Sequence, residues 1–216
     1  MKYTHLIISR VNIKIRPQDD SWISARLDIL NNTLRPSLEA QTNQNFKFIT
    51  LWGHEPVGGI PNEYQLRFDA VNSQQELFIE ILPKITELID NEYVLVTRVD
   101  SDNCLGEKFV ETIQDNITEN VPFYYDIKKM DVINTKTRNK SFWVKDKTSG
   151  FITVMEKSDE FTCIPYKYSH GQIGDKIDGM TLNLDVLLTI HGYNLLMKDN
   201  IGKPSDFDVS KYNLVL

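Results

Sequence analysis

The chain of 216 residues is 41% hydrophobic and 25% charged, an ordinary globular composition, and at that length a single α/β domain buries roughly 70% of its extended-chain surface. A formal net charge of −6 disfavours a nucleic-acid partner, which needs clustered Lys and Arg, but leaves room for a small phosphorylated ligand carried on a carboxylate-bound metal. Cys104 and Cys163 form no CxxC pair and no His-Cys cluster, so neither a disulfide framework nor a structural zinc site is indicated, and the reducing cytoplasm is the expected compartment.

Leu6, Ile7 and Ile8 make a short apolar strand, and Trp22, Ile23, Leu27 and Leu30 follow at helical spacing behind N-cap candidates Asp19, Asp20 and Ser21. The Arg35-Pro36 step is expected to end or turn that helix. Residues 46–52 read as a second strand, stopped by Gly53 and a loop carrying Gly58 and Gly59, and residues 64–68 as a third. Residues 74–89 form an amphipathic helix kinked at Pro83. Residues 93–97 are the most apolar strand, and residues 109–117 a further helix. Alternation of this kind predicts a parallel sheet covered by helices, with ligands beyond the carboxyl ends of its strands.

In the second half, residues 123–132, 141–145 and 151–155 read as strands without intervening helices. From Met180 to Ile190 the even-numbered positions are apolar, which favours one strand running into His191 although a helix is also compatible, and the polar stretch 198–216 is expected to wrap the surface. The apolar run from Met180 to Met197 carries Asn183, Asp185, His191 and Asn194, so no spanning helix is expected; the N-terminus has no signal-peptide pattern. The expected organisation is one domain over 1–216, with a nucleotide-binding half to about residue 120 and an acceptor-binding half after it.

Arg98-Val99-Asp100-Ser101-Asp102 follows the most apolar strand and precedes a helix. A DxD triplet alone is weak, and Asp206-Phe207-Asp208 is another. Two carboxylates at the end of a buried strand are different, because burying like charges is costly without a compensating cation. A divalent ion with hard oxygen ligands, Mn²⁺ or Mg²⁺, would bridge them to a diphosphate; the alternative is a helix cap or turn. Arg98, Arg10 and Arg26 are placed to pair with those carboxylates or with the diphosphate.

Taken together, Ile7-Ile8-Ser9-Arg10-Val11-Asn12, Trp22-Ile23-Ser24-Ala25-Arg26, Leu34-Arg35-Pro36-Ser37-Leu38, Gln41-Thr42 with Asn45-Phe46, Thr97 through Asp102, and His191-Gly192-Tyr193-Asn194 resemble the rhamnosyltransferase-like family of GT-A glycosyltransferases over most of the chain. The resemblance implies a GT-A α/β fold with a mixed, mainly parallel sheet and extra antiparallel strands in the second half. It also implies a metal-dependent transferase that moves a sugar from a nucleotide-diphosphate donor to a glycan or glycoconjugate acceptor. Asp100 and Asp102 are then its DxD pair, Ser9, Arg10 and Asn12 line the nucleotide pocket, and His191 completes the metal shell, with His170 competing for that role. Leu51 to Pro56 stands where many GT-A enzymes carry an acidic residue, which leaves the nucleotide open.

An inverting enzyme needs a carboxylate base in the second half; Asp126, Asp131, Glu156, Asp159, Glu160, Asp175 and Asp178 all qualify. Asp175 and Asp178, in a loop with Gly171, Gly174 and Gly179, are the first choice. A Rossmann enzyme is disfavoured because no glycine follows the first strand, and a P-loop NTPase because its motif is lacking. A sugar nucleotidyltransferase or an inactive sugar-binding domain remain the alternatives.

Overall fold

In the computed structural model, which describes residues 1–12, 19–53, 55–68, 74–145, 149–191 and 203–214, the chain opens with β1 (Tyr3–Asn12). Helix α1 (Asp20–Asn32) starts where predicted because the Asp19 carboxylate accepts the Trp22 amide at 2.8 Å. Helix α2 (Leu34–Glu39) begins beyond Thr33, so Arg35-Pro36 starts a helix instead of ending one; a proline in the first turn lacks an N–H that would be orphaned anyway. Then come β2 (Lys47–Trp52), β3 (Glu63–Arg67), α3 (Gln74–Thr86), β4 (Tyr93–Asp100), β5 (Cys104–Leu105) and α4 (Phe109–Asp115).

The second half supplies β6 (Phe123–Asp126), β7 (Lys129–Asn134), β8 (Lys140–Val144), β9 (Thr153–Lys157), α5 (Ile164–Lys167), α6 (His170–Ile173), β10 (Asp178–Thr181), β11 (Val186–Ile190) and β12 (Lys203–Pro204), then a 3₁₀ turn at Ser210–Tyr212. Two of the expected strands are each two. Residues 123–132 divide into β6 and β7, and residues 180–190 into β10 and β11, each pair split between two sheets. The even-numbered apolar positions of the second run thus face two different environments, and β11 is buried on every residue. The C-terminal stretch, of which residues 198–202 and 215–216 lie outside the described residues, is not all surface, since Tyr212 is buried against Cys104, Ile133 and Leu187.

The main sheet has the order β10-β6-β9-β4-β1-β2-β3, and its pairings are parallel except at β9, which runs against both β4 and β6. The second sheet, β12-β8-β7-β11-β5, is mainly antiparallel. This is the mixed, mainly parallel α/β arrangement with added antiparallel strands that the sequence predicts. Strand alternation sends Ile7, Val11, Phe48, Leu95, Val99 and Met155 to one face, against α1, α2, α4 and the second sheet. Leu6, Ile8, Ile49, Leu51, Val94 and Val96 go to the other, against α3 and α5. No helix among the described residues is long and apolar enough to cross a membrane.

Candidate active site

Strand β4 extends three residues further than its apolar run suggests, so Arg98 and Asp100 are strand residues at the carboxyl edge of the sheet. Their side chains project with Val94 and Val96 toward the α3 and α5 face, and Arg10 joins them as the register partner of Asp100. Arg10 Nη2 lies 3.7 Å from Asp100 Oδ1, and the Asp100 side chain is 52% exposed. Arg98 is buried, donates to the Pro165 carbonyl at 3.3 Å and lies 5.5 Å from the Tyr166 ring centroid. Burial pulls the pKa of Arg98 down and the like charge of Arg10 adds to this, against the opposing effects of Asp100 and Tyr166. Two guanidiniums with one carboxylate between them are a place where an added anion relieves repulsion.

Asp126 joins the same edge from β6. Thr97 pairs with Thr153 and Thr153 with Tyr125, so Asp126 stands level with Arg98, two strands or about 10 Å away, and on the same face. Its Oδ1 accepts the Ser149 amide at 2.8 Å, while Oδ2 is buried with no hydrogen-bond partner. Lys145, just beyond β8, interacts electrostatically with Asp126, Asp100 and Arg98; burial lowers its pKa and the two carboxylates oppose that. Lys145 and Tyr166 escaped the sequence reading, since neither sits in a motif and both are brought in by second-half packing.

Asp102 has a different setting. Beyond the end of β4 the chain turns, and Asp102 Oδ2 receives Arg26 Nη1 at 2.9 Å and lies 3.2 Å from His191 Nε2. Arg26 Nη1 is also 3.4 Å from His191 Nε2, and its Nη2 donates to Ser101 Oγ at 2.6 Å. All three charged or polar side chains are nearly enclosed, at 11%, 13% and 6% exposure for Arg26, Asp102 and His191. Burial pushes the Asp102 carboxyl up, but the His191 hydrogen bond and the Arg26 charge outweigh it and hold it at about 2. Asp100 and Asp102 are thus divided between two clusters with different partners.

The other expected residues scatter. Ser9 is fully buried with no hydrogen-bond partner and, by alternation, faces away from Arg10. Asn12 ends β1, and its side chain, like that of His170, lies outside the described residues. Asp178 pairs with Phe123 at the start of β6, about 10 Å along the strand from Asp126 and so at the opposite edge from Asp100. Asp175 and Asp178 are exposed and flank Tyr124, whose ring covers Gly179 so closely that a Cβ there would come within 2.2 Å. Among the remaining carboxylates, Glu156 is consumed by Thr162 and Ile164, and Asp131 by Tyr212 and Lys211.

Residues 14–195 match the protein family described as "Putative rhamnosyl transferase". The chain belongs to that family. No curated protein matches it. One solved structure similar to it is a putative nucleotide-diphospho-sugar transferase from Desulfovibrio desulfuricans G20. That structure is 8% identical, with 84% of this chain and 80% of that chain covered and a TM-score of 0.38.

The sequence leads to the expectation of a divalent ion at Asp100, Asp102 and His191, but the surroundings of Asp102 do not suit one. A guanidinium already contacts both the carboxylate oxygen and the imidazole nitrogen that would bind it. Among the described residues no group of three or more His, Cys, Asp or Glu side chains is arranged around a common point where an ion would sit.

Proposed function

We propose that the protein transfers a glycosyl group from a nucleoside-diphosphate sugar to a glycan or glycoconjugate acceptor, at the carboxyl edge of β1, β4 and β6. The observation that carries this reading is the pair Arg10 and Arg98 on one face of that edge, in a chain whose family is a glycosyl-transferring one. Rhamnose is the first donor sugar to test, on the strength of the family description.

The diphosphate lies against Arg10 and Arg98, with Asp100 orienting Arg10. As the bond from the anomeric carbon to the phosphate oxygen breaks, charge grows on the leaving diphosphate, and fixed guanidiniums in a partly water-excluded edge stabilise it. The acceptor hydroxyl forms the new bond to the anomeric carbon and loses its proton. Asp126 accepts that proton, because it is the carboxylate of the second half that stands level with Arg98 on the same face and keeps an oxygen without a partner. Asp178, which pairs with Phe123 at the start of β6, stands about 10 Å along the strand from Asp126 and does not serve as the base.

Incubation with dTDP-, UDP- and GDP-sugars, followed by assay of released nucleoside diphosphate, tests the reading. Release from at least one donor supports it. Pyrophosphate release from a sugar 1-phosphate and a nucleoside triphosphate would instead identify a nucleotidyltransferase.

A further inference from the structure

The Asp102 cluster is a built cation site, and its cation is part of the chain. Arg26 comes from α1, Asp102 from the turn after β4 and His191 from the end of β11, so three separate elements converge on one guanidinium. Its two terminal nitrogens are both used, one on Asp102 Oδ2 and the other on Ser101 Oγ, and Trp22 stacks 5.8 Å from its centre. This geometry offers little to a divalent ion. The Asp102 charge is already neutralised in a site where a second cation beside the guanidinium would be repelled with little solvent screening.

The imidazole argues the same way. His191 Nε2 lies 3.2 Å from a carboxylate oxygen. Two bare lone pairs at that distance repel, so Nε2 carries the hydrogen and donates it to Asp102, which leaves no lone pair for a metal on the ring nitrogen that faces the carboxylate. On the other cluster Arg10 and Arg98 supply two positive charges against the single exposed carboxylate of Asp100.

We infer that Arg26 takes the place of the divalent ion between Asp102 and His191, and that the protein binds the diphosphate of its donor through Arg10 and Arg98 without a metal. The inference rests on the nucleotide-sugar reading above and adds to it that the diphosphate-binding charge is wholly protein-borne. Asp102 and His191 then hold α1, the β4 turn and the end of β11 together and do not touch the donor.

Calorimetric titration of the full chain with UDP, dTDP and GDP, once in EDTA and once in millimolar Mn²⁺, tests it. The expected result is a dissociation constant for at least one nucleotide that agrees within about twofold between the two buffers, and an Arg10→Gln variant that binds about tenfold or more weakly in EDTA. Titration of Mn²⁺ alone, followed by its electron paramagnetic resonance signal, is expected to show no site that Asp102→Asn abolishes. Nucleotide binding that needs Mn²⁺, or strengthens tenfold with it, overturns the inference and leaves the glycosyltransferase reading standing. A Mn²⁺ site lost in Asp102→Asn overturns it in the same way. Binding of no nucleotide in either buffer sinks both together.

Discussion

Asp100 and Asp102, two residues apart in one motif, do different work, and substitutions separate them. Asp102 is nearly enclosed and held at about 2 by His191 and Arg26, so its charge is an integral part of the fold. Asp102→Asn keeps the shape but leaves Arg26 facing a neutral amide, and breaking a buried pair in this way costs about 3 kcal/mol. Thermal unfolding of that variant is expected at a clearly lower temperature than the parent. Arg10→Gln, at a part-exposed strand edge, is expected to unfold with the parent while losing nucleotide affinity. Asp126→Asn is expected to lower turnover about a hundredfold or more while nucleotide binding is retained, since a general base contributes on that order and does not hold the donor. Equal turnover by Asp126→Asn and the parent would remove Asp126 from the mechanism.

Among the secondary-structure elements, β1, β4, β9 and α4 are tied by a polar chain through the core. Gln114 Nε2 donates to His5 Nδ1 at 3.1 Å, so the ring proton sits on Nε2 and points to Thr97 Oγ1 at 2.8 Å, which in turn meets Thr153 Oγ1 at 2.6 Å. Burial lowers the His5 pKa from 6.5 to about 3. The unfolded chain therefore binds a proton that the folded chain refuses, and the stability this neutral imidazole allows is full above about pH 6.5 and lost as the pH falls toward 3. His5→Gln is expected to flatten that part of the curve of unfolding free energy against pH. An unchanged slope between pH 6.5 and 4 would show that His5 is not its source.

Most elements of the first half were legible because apolar periodicity there is strong and each strand is followed by a helix or a glycine loop. The helix at Leu34–Glu39 was not, because Pro36 reads as a stop unless the break at Thr33 is known. The division of residues 123–132 and 180–190 was hidden for a related reason: both members of each pair are strands, and the change of sheet leaves no mark in a period of two. Within the site, Arg10, Arg98 and Asp100 were legible from their place just after two apolar runs, although both strands extend to include them. The contacts of Arg26 with Asp102 and His191 could not, since they depend on where α1 and β11 meet the β4 turn. Asp126 ranked no higher than six other carboxylates until the antiparallel insertion of β9 set it level with Arg98 on the same face.

Across the whole molecule the two halves of the sequence are interleaved. Strand β9 pairs along β4, and β5 of the first half pairs with β11 of the second. A fragment ending near residue 120 would leave the edge of β4, with Val94, Leu95 and Val96, unpaired. Such an apolar edge templates intermolecular pairing, so the fragment is expected to elute as aggregate in size-exclusion chromatography, and a monomeric folded fragment would contradict the interleaving. The same interleaving sets the carboxyl edge of β6 about 10 Å from that of β4, with β9 between them, and the proposed transfer takes place across that gap.

In the proposed reaction a nucleoside-diphosphate sugar is held by Arg10 and Arg98 at the carboxyl edge of the sheet and gives up its sugar there. Nucleoside diphosphate released from a panel of dTDP-, UDP- and GDP-sugars, by the parent and by Arg10→Gln side by side, tests it most directly. The expected result is release by the parent from at least one donor, and release slowed about tenfold or more in Arg10→Gln at an unchanged unfolding temperature. Release by neither protein from any donor, with or without Mn²⁺, or equal release by both, would contradict it.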